Sequence, residues 1–236
     1  MGTTAQKLNK ILETKEAIRT AINNKGGTLT TTDTFASYPS AIDSLPSGGG
    51  DPLKEFLDEA KSAKYMFCGS AGGGHTTWGV NLTYERLQKL LNYDTTSSVT
   101  NMSYMFFNCE NLTSIPQLNT IKVTNMNSMF RYCFKLTTID ITHMNITSTN
   151  NSYSFAGDCY SLTKLIIRNM DAIPTLSSDA FTKCYHFTGT TDPTYNPQGL
   201  KDGRIYVPDD KVDALKTASG WSTYADIIVP LSTLQE

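Results

Sequence analysis

Hydrophobic and polar positions recur through the middle of the chain with a period longer than that of any helix or strand. Val99-Thr100-Asn101-Met102-Ser103-Tyr104-Met105-Phe106 returns as Val123-Thr124-Asn125-Met126-Asn127-Ser128-Met129-Phe130. Each copy is followed by a cysteine, then by a Leu and an Ile at fixed offsets. The cysteines concerned, Cys109, Cys133, Cys159 and Cys184, are separated by 24, 26 and 25 residues. Self-similarity in this range marks stacked repeats, each burying its apolar side only against its neighbours.

Aligned on cysteine, Phe106, Phe130 and Phe181 stand three residues before it and Phe155 four. Leu112, Leu136, Leu162 and Phe187 stand three after it, and Ile115, Ile139 and Leu165 six after. A residue that recurs once per coil must stack on its own kind along the axis. The spacing therefore predicts a structural ladder of Phe106, Cys109, Leu112, Ile115, Phe130, Cys133, Leu136, Ile139, Phe155, Cys159, Leu162, Leu165, Phe181 and Cys184. Leu-x-x-Ile reads as a short strand. Phe-x-x-Cys reads as the tight return, where a small apolar cysteine fits beneath the backbone. Thr149 to Tyr153 replaces the Asn-Met phrase in the third copy, so irregularity is expected there. The fourth copy reads as the last, because Gly189 interrupts it and Thr190-Thr191-Asp192-Pro193 follows.

The flanks carry other periods. Leu8, Ile11, Ile18 and Ile22 predict a helix over 4–24, ended by Gly26-Gly27. Its apolar stripe is narrow, fit either for the next helix or for a bundle between protomers. Thr28 to Thr32 reads as a short strand. Asp33 reads as the cap of a second helix carrying Phe35, Tyr38, Ile42 and Leu45, bent at Pro39. Ser47-Gly48-Gly49-Gly50 is a flexible linker. Asp51-Pro52 starts another helix that buries Leu53, Phe56, Leu57 and Ala60. Tyr65-Met66-Phe67-Cys68, a glycine-rich loop over 69–74, and a helix over 84–92 capped by Thr83 complete that segment. After the repeats, Arg204 to Pro208 reads as a strand. A helix with Val212, Leu215 and Lys216 follows, capped by Asp209 or Asp210, and Trp221 and Tyr224 pack it down. Ile227-Ile228-Val229 closes at Pro230. The implied organisation is a helical module over 1–46, a linker over 47–50, an N-terminal cap over 51–97, repeats over 98–190 and a C-terminal cap over 191–236.

Composition narrows the function. Hydrophobic residues make up 39% and charged residues only 18%, with a net charge of −2. The difference is made up by Thr, Asn and Ser, a balance suited to extended surface structures. Without a Lys/Arg block, nothing draws the chain to nucleic acid or an anionic membrane. No apolar run is long enough for membrane insertion. The polar first ten residues resemble no export signal, so secretion by the general route is not expected. There is no Cys-x-x-Cys and no Cys–His pair at ligand spacing, so no metal is expected. Ladder neighbours at roughly 4.7–4.9 Å fall in the disulfide range, but parallel side chains favour buried free thiols. His75 beside Gly72-Gly73-Gly74 and Ser70 fits neither a phosphate loop nor a nucleophile elbow. Asp58-Glu59 and Asp209-Asp210 read as solvated or capping carboxylates. No catalytic residue, cofactor or enzymatic activity is expected. The residues flanking the ladder are the best candidates for receptor contact: Tyr104, Phe107, Tyr132, Phe134, Tyr160, Tyr185 and His186. Aromatic rows stack on sugar rings. The alternative is that several are core or an interface between protomers.

The unit Val-Thr-Asn-Met-x-x-Met-Phe-x-x-Cys-x-x-Leu-Thr-x-Ile resembles the BspA-like leucine-rich repeats of bacterial and bacteriophage surface proteins. Ile205-Tyr206-Val207-Pro208, Gly220-Trp221-Ser222-x-Tyr224-Ala225 and Pro230-Leu231-Ser232 resemble the segment that often closes such repeats. Lys15-Glu16-Ala17-Ile18-Arg19-x-Ala21-Ile22-x-x-Lys25-Gly26, with Phe35-Ala36-x-Tyr38-x-x-x-Ile42, resembles an N-terminal module of tail and baseplate proteins in phages of Gram-positive bacteria. These resemblances imply an α+β fold, a short irregular leucine-rich-repeat solenoid of about four coils with a helical N-terminal module and α/β end caps. They imply a virion tail or baseplate component assembled in the reducing host cytoplasm. Residues 1–46 would join it to other tail or baseplate proteins, as a homo-oligomer with a trimer favoured. Its repeats would face a host cell-wall polysaccharide or surface protein. A bacterial surface adhesin or interaction module of BspA type is the alternative, against which the missing export signal argues.

Overall fold

Four short strands set the axis of the molecule. β1 (Thr138–His143), β2 (Lys164–Asn169), β3 (Arg204–Val207) and β4 (Ile228–Pro230) lie in that order in one all-parallel sheet. The computed structural model describes residues 15–16, 18–24, 27–32, 64, 66–68, 82–91 and 93–235. Ile139 lies beside Leu165, Leu165 beside Ile205 and Ile205 beside Ile228, so one inward column runs from the repeats into the C-terminal segment. These four side chains are buried. With few helices beside this sheet, the fold is mixed α/β.

The strands differ from the expectation in one respect. Each begins two residues past its leucine, at Thr138 after Leu136 and at Lys164 after Leu162. The first copy has none: Pro116 follows Ile115 and has no N–H to give a ladder. The first copy reaches the sheet through a bridge between Leu118 and Ile141 and through Thr120, whose hydroxyl donates to the His143 carbonyl and accepts from its amide.

Opposite the strands, layers are joined by a different backbone pattern. The amides of Tyr104, Phe106 and Asn108 donate to the carbonyls of Asn127, Met129 and Arg131 in the next layer at 2.8–2.9 Å. Ser128, Phe130 and Tyr132 donate in the same way to Tyr153, Phe155 and Gly157. The intervening amides close tight turns within the layer, as Met105 does on Met102 and Phe107 on Tyr104. Alternate amides can point along the axis only if the backbone alternates in hand. Positive φ accordingly recurs five residues before cysteine at Tyr104, Ser128 and Ser154, and one before it at Asn108, Tyr132, Asp158 and Lys183.

The core fills this frame with rings and sulfur. Phe67 stacks on Phe106 with centroids 5.5 Å apart, and Phe106 on Phe130 at 5.4 Å, both nearly parallel. Phe130–Phe155 and Phe155–Phe181 meet edge-on at 5.5 and 6.1 Å. The change follows from the third copy, where Phe155-Ala156 stands in place of Met-Phe. The backbone register is unbroken, but the ring arrives from the neighbouring position and turns. Phe67 was not expected here. Its amide donates to the Met105 carbonyl at 2.9 Å, which makes Met66-Phe67 one more layer ahead of Met105-Phe106.

Each ladder thiol donates to a carbonyl of the preceding layer: Cys109 to Phe67, Cys133 to Phe106, Cys159 to Phe130 and Cys184 to Ala156, at 3.0–3.2 Å. The four ladder cysteines are free thiols, and all five cysteines are buried. Burial pushes Cys109, Cys159 and Cys184 up from the usual thiol range. Burial acts in the same direction on Cys133, while flanking thiols that would donate to its thiolate pull it down. The carbonyl that Cys133 itself meets is an acceptor only, which keeps the proton on sulfur.

Residues 18–24 are helical, and Ile18, Ala21 and Ile22 are buried within the same core cluster as the repeats. Gly27 ends this helix by donating to the Ile22 carbonyl at 2.9 Å. The strand expected at Thr28 to Thr32 is not formed. Asn23 takes both backbone groups of Leu29, at 2.6 and 2.7 Å, and residues 31–32 turn away. The helix expected over 84–92 spans Tyr84–Leu90, with the Thr83 hydroxyl accepting from the Arg86 amide at 3.4 Å. Neither Asp209 nor Asp210 caps the helix Val212–Thr217. A turn of 3-10 helix, Asp209–Lys211, precedes that helix, and Asp209 accepts instead from the Ser232 amide at 3.0 Å. Trp221, fully buried, donates its indole N–H to the Pro174 carbonyl at 2.7 Å, and Tyr224 meets Phe181 at 5.2 Å. Leu8, Ile11, the segments expected over 33–63 and the glycine-rich loop with Ser70 and His75 lie outside the described residues.

Candidate functional site: an exterior aromatic row

The alternating hand of the return decides which side chains face outward. Where a ladder Cys points in, the residues on either side of it are at least partly exposed in every layer, except for buried Asp158. These outward positions carry Tyr132, Phe134, Tyr160 and Tyr185, each half-buried. Tyr104 and Phe107 continue them toward the first layer. The rings touch in sequence: Tyr104–Phe107 at 5.6 Å, Phe107–Tyr132 at 5.3 Å, Tyr132–Phe134 at 6.1 Å, Phe134–Tyr160 at 5.0 Å and Tyr160–Tyr185 at 5.3 Å. Six of the seven residues proposed from the sequence thus form one continuous exterior row. His186 is engaged elsewhere, with its Nδ1 2.7 Å from the Asp202 carboxylate.

A seventh ring was missed. Tyr195 lies 4.8 Å from Tyr160 and 6.5 Å from Tyr185, and it is 36% exposed. Buried Asn196 fixes its loop. The Asn196 amide donates to the carbonyls of Tyr185, Thr190 and Leu200, and its oxygen accepts from the Leu200 amide. Asp192 accepts from the amides of Thr194 and Tyr195, both at 2.9 Å, which holds its carboxyl below the usual range. The turn signals around Tyr195 were visible in Asp192-Pro193 and Asn196-Pro197. The partner ring, thirty-five residues away, was not.

Two tyrosines in the row occupy costly backbone. Tyr104 has φ 60° and Tyr132 φ 65°. Left-handed backbone costs an ordinary residue roughly 1–2 kcal/mol, and Asn or Asp less. At the same place in other layers stand Ser128 and Ser154, and Asn108, Asp158 and Lys183, of which Asn108 and Asp158 are the residues this backbone favours. Strain of this kind is retained where the side chain has a task.

Charge lies along the row. Buried Asp158 faces Arg131 Nε at 3.5 Å and Lys183 Nζ at 3.3 Å. The Arg131 guanidinium covers the Tyr132 ring at 4.6 Å, and Lys64 Nζ lies 5.9 Å from the Tyr104 ring. Burial first, and then the Asp158 charge, push the Tyr160 hydroxyl up. Burial and Asp192 do the same to Tyr185. These phenols therefore remain neutral donors and acceptors at neutral pH. Among the described residues, no three His, Cys, Asp or Glu side chains converge as metal ligands. The chemistry the row offers is stacking, hydrogen bonding and ion pairing.

Fold and row together define a mixed α/β protein of stacked layers that carries a half-exposed aromatic surface. The family model described as "Mycoplasma protein of unknown function, DUF285" matches residues 80–192, which contain all of the row except Tyr195. That match is compatible with a BspA-like protein. No curated protein and no solved structure matches the chain.

Proposed function

We propose that the stacked layers are a short BspA-type leucine-rich-repeat solenoid, and that the protein is a non-enzymatic recognition component. In this reading it serves in a phage tail or baseplate, is anchored through residues 1–46 as a homo-oligomer, and presents its aromatic row to the host surface. The single observation that supports it most is the unbroken contact of half-exposed rings from Tyr104 to Tyr185. A core-only role would have buried these rings, and a scattered surface would not have joined them. The phage setting rests on the sequence resemblance of residues 15–42. The second reading, a bacterial surface interaction module, is favoured by the bacterial description of the matching family.

The test is co-sedimentation of the full chain with purified cell walls of Gram-positive bacteria, followed by phage adsorption in the presence of antibodies against the chain. Binding to walls and blocked adsorption are expected. Wall binding without any effect on adsorption favours the second reading. Failure to bind every wall preparation removes the recognition role.

A further inference from the structure

We infer that the ligand of the aromatic row is an acidic glycan, its sugar faces resting on Phe107, Phe134 and Tyr160 and its acid groups held by Arg131 and Lys183. This inference rests on the recognition reading above and adds the charge of the ligand to it. Two cations, Arg131 and Lys183, meet a single buried carboxylate, Asp158, at 3.5 and 3.3 Å, so cations outnumber carboxylates two to one within this cluster. Arg131 Nε is buried against Asp158, while the side chain as a whole is 30% exposed. Its guanidinium lies over Tyr132, which places a planar donor fork beside a stacking surface. That combination suits an acid group on a sugar ring: ring faces take the apolar face of the sugar, and the fork takes two oxygens. Lys183, with its side chain 56% exposed, lies on the same layer as Tyr185 and can meet a second oxygen from solvent. Asp192 is the negative group at the far end of the row. Its Oδ1 accepts from the Thr194 and Tyr195 amides, and its negative charge opposes an acidic ligand at that end of the row.

A ring carboxylate and a phosphodiester both present such an acid group, and the experiment separates them. The full chain is titrated with polygalacturonate, its neutral methyl ester, a glycosylated poly(glycerol phosphate) and neutral dextran. Expected is binding to at least one acidic polymer that weakens with salt and exceeds binding to the methyl ester and dextran about tenfold or more. The preferred acidic polymer identifies the acid. Lys183→Asn suits the left-handed backbone there and leaves Arg131 on Asp158. It should weaken acidic binding about threefold. Asp158→Asn also suits its backbone, and it uncovers a second positive charge. It should strengthen acidic binding by a similar factor, a direction that no loss of folding imitates. Equal binding of neutral and acidic polymers, or unchanged affinity in both variants, overturns the charge inference and leaves the recognition reading standing. Binding to none of the four, with no wall binding either, overturns both.

Discussion

Phe130 and Phe134 stand four residues apart in one turn and face opposite ways, so truncating each separates the core from the row. Phe130 is fully buried between Phe106, 5.4 Å away and parallel, and Phe155, 5.5 Å away and edge-on. Phe→Ala in such a site costs about 3–5 kcal/mol, because the stack above and below cannot collapse into the gap. At about 2–4 °C per kcal/mol for a chain of this size, the melting temperature should fall by about 6–20 °C. Phe134 is half-buried and meets Tyr132 at 6.1 Å and Tyr160 at 5.0 Å. Each aromatic pair contributes about 0.5–1.5 kcal/mol, discounted here for exposure, so Phe134→Ala should cost about 1–2 kcal/mol. Thermal denaturation followed by circular dichroism measures both. Equal losses for the two variants would refute the assignment of Phe134 to an exterior row. A Phe130→Ala melting point within about 2 °C of the parent would refute the stacked core.

Three further outcomes follow from the same geometry. Gly220→Ala should destabilise by about 2 kcal/mol or more, since φ is +82° and an added Cβ would land 2.3 Å from the Leu176 carbonyl; urea denaturation checks it. Trp221→Phe removes the donor to the Pro174 carbonyl and should cost about 1–3 kcal/mol by the same measurement. Alkaline pH should destabilise the fold. Cys109, Cys159 and Cys184 have folded pKa values raised above 9.0, and Tyr224 is raised from 10.0 to about 12, all with burial as the main cause. The unfolded chain therefore ionises first. The stability these groups contribute is present below their unfolded values and lost as pH rises through and above them. Melting temperatures should decline from about pH 9 upward, and the Tyr224 share of the decline, between 10 and about 12, should vanish in Tyr224→Phe.

Much of this architecture was legible because a repeated core is a repeated sequence. Cysteines 24–26 residues apart could be placed in one column without knowing the turn that carries them. The apparent slip of Phe155 was legible as an irregularity but not as its cause. Only the hydrogen bonds show an unbroken backbone register with the ring moved by one position. Phe67 escaped notice because it lies outside the regular spacing, although Met66-Phe67 repeats the Met-Phe pair of the next two layers. The first copy lacks a strand because Pro116 has no N–H to give a ladder. The site followed the same division. Six aromatics flanking the ladder were identifiable from periodicity, since a fixed offset from an inward cysteine fixes an outward face. Tyr195 was not, since a non-repeating loop locked by Asn196 delivers it. Nor was the charge. Asp158, Arg131 and Lys183 come from three successive layers and read as unrelated polar residues until the stacking brings them together.

Glycan binding by the row itself is the most direct measurement. Purified wall polysaccharide should be titrated into the full chain and into a Phe134→Ala/Tyr160→Ala double variant that retains the parent circular dichroism spectrum. The parent should bind, and the variant should lose about tenfold or more in affinity. Equal affinity in the two proteins would contradict the central claim, and so would the absence of binding by either.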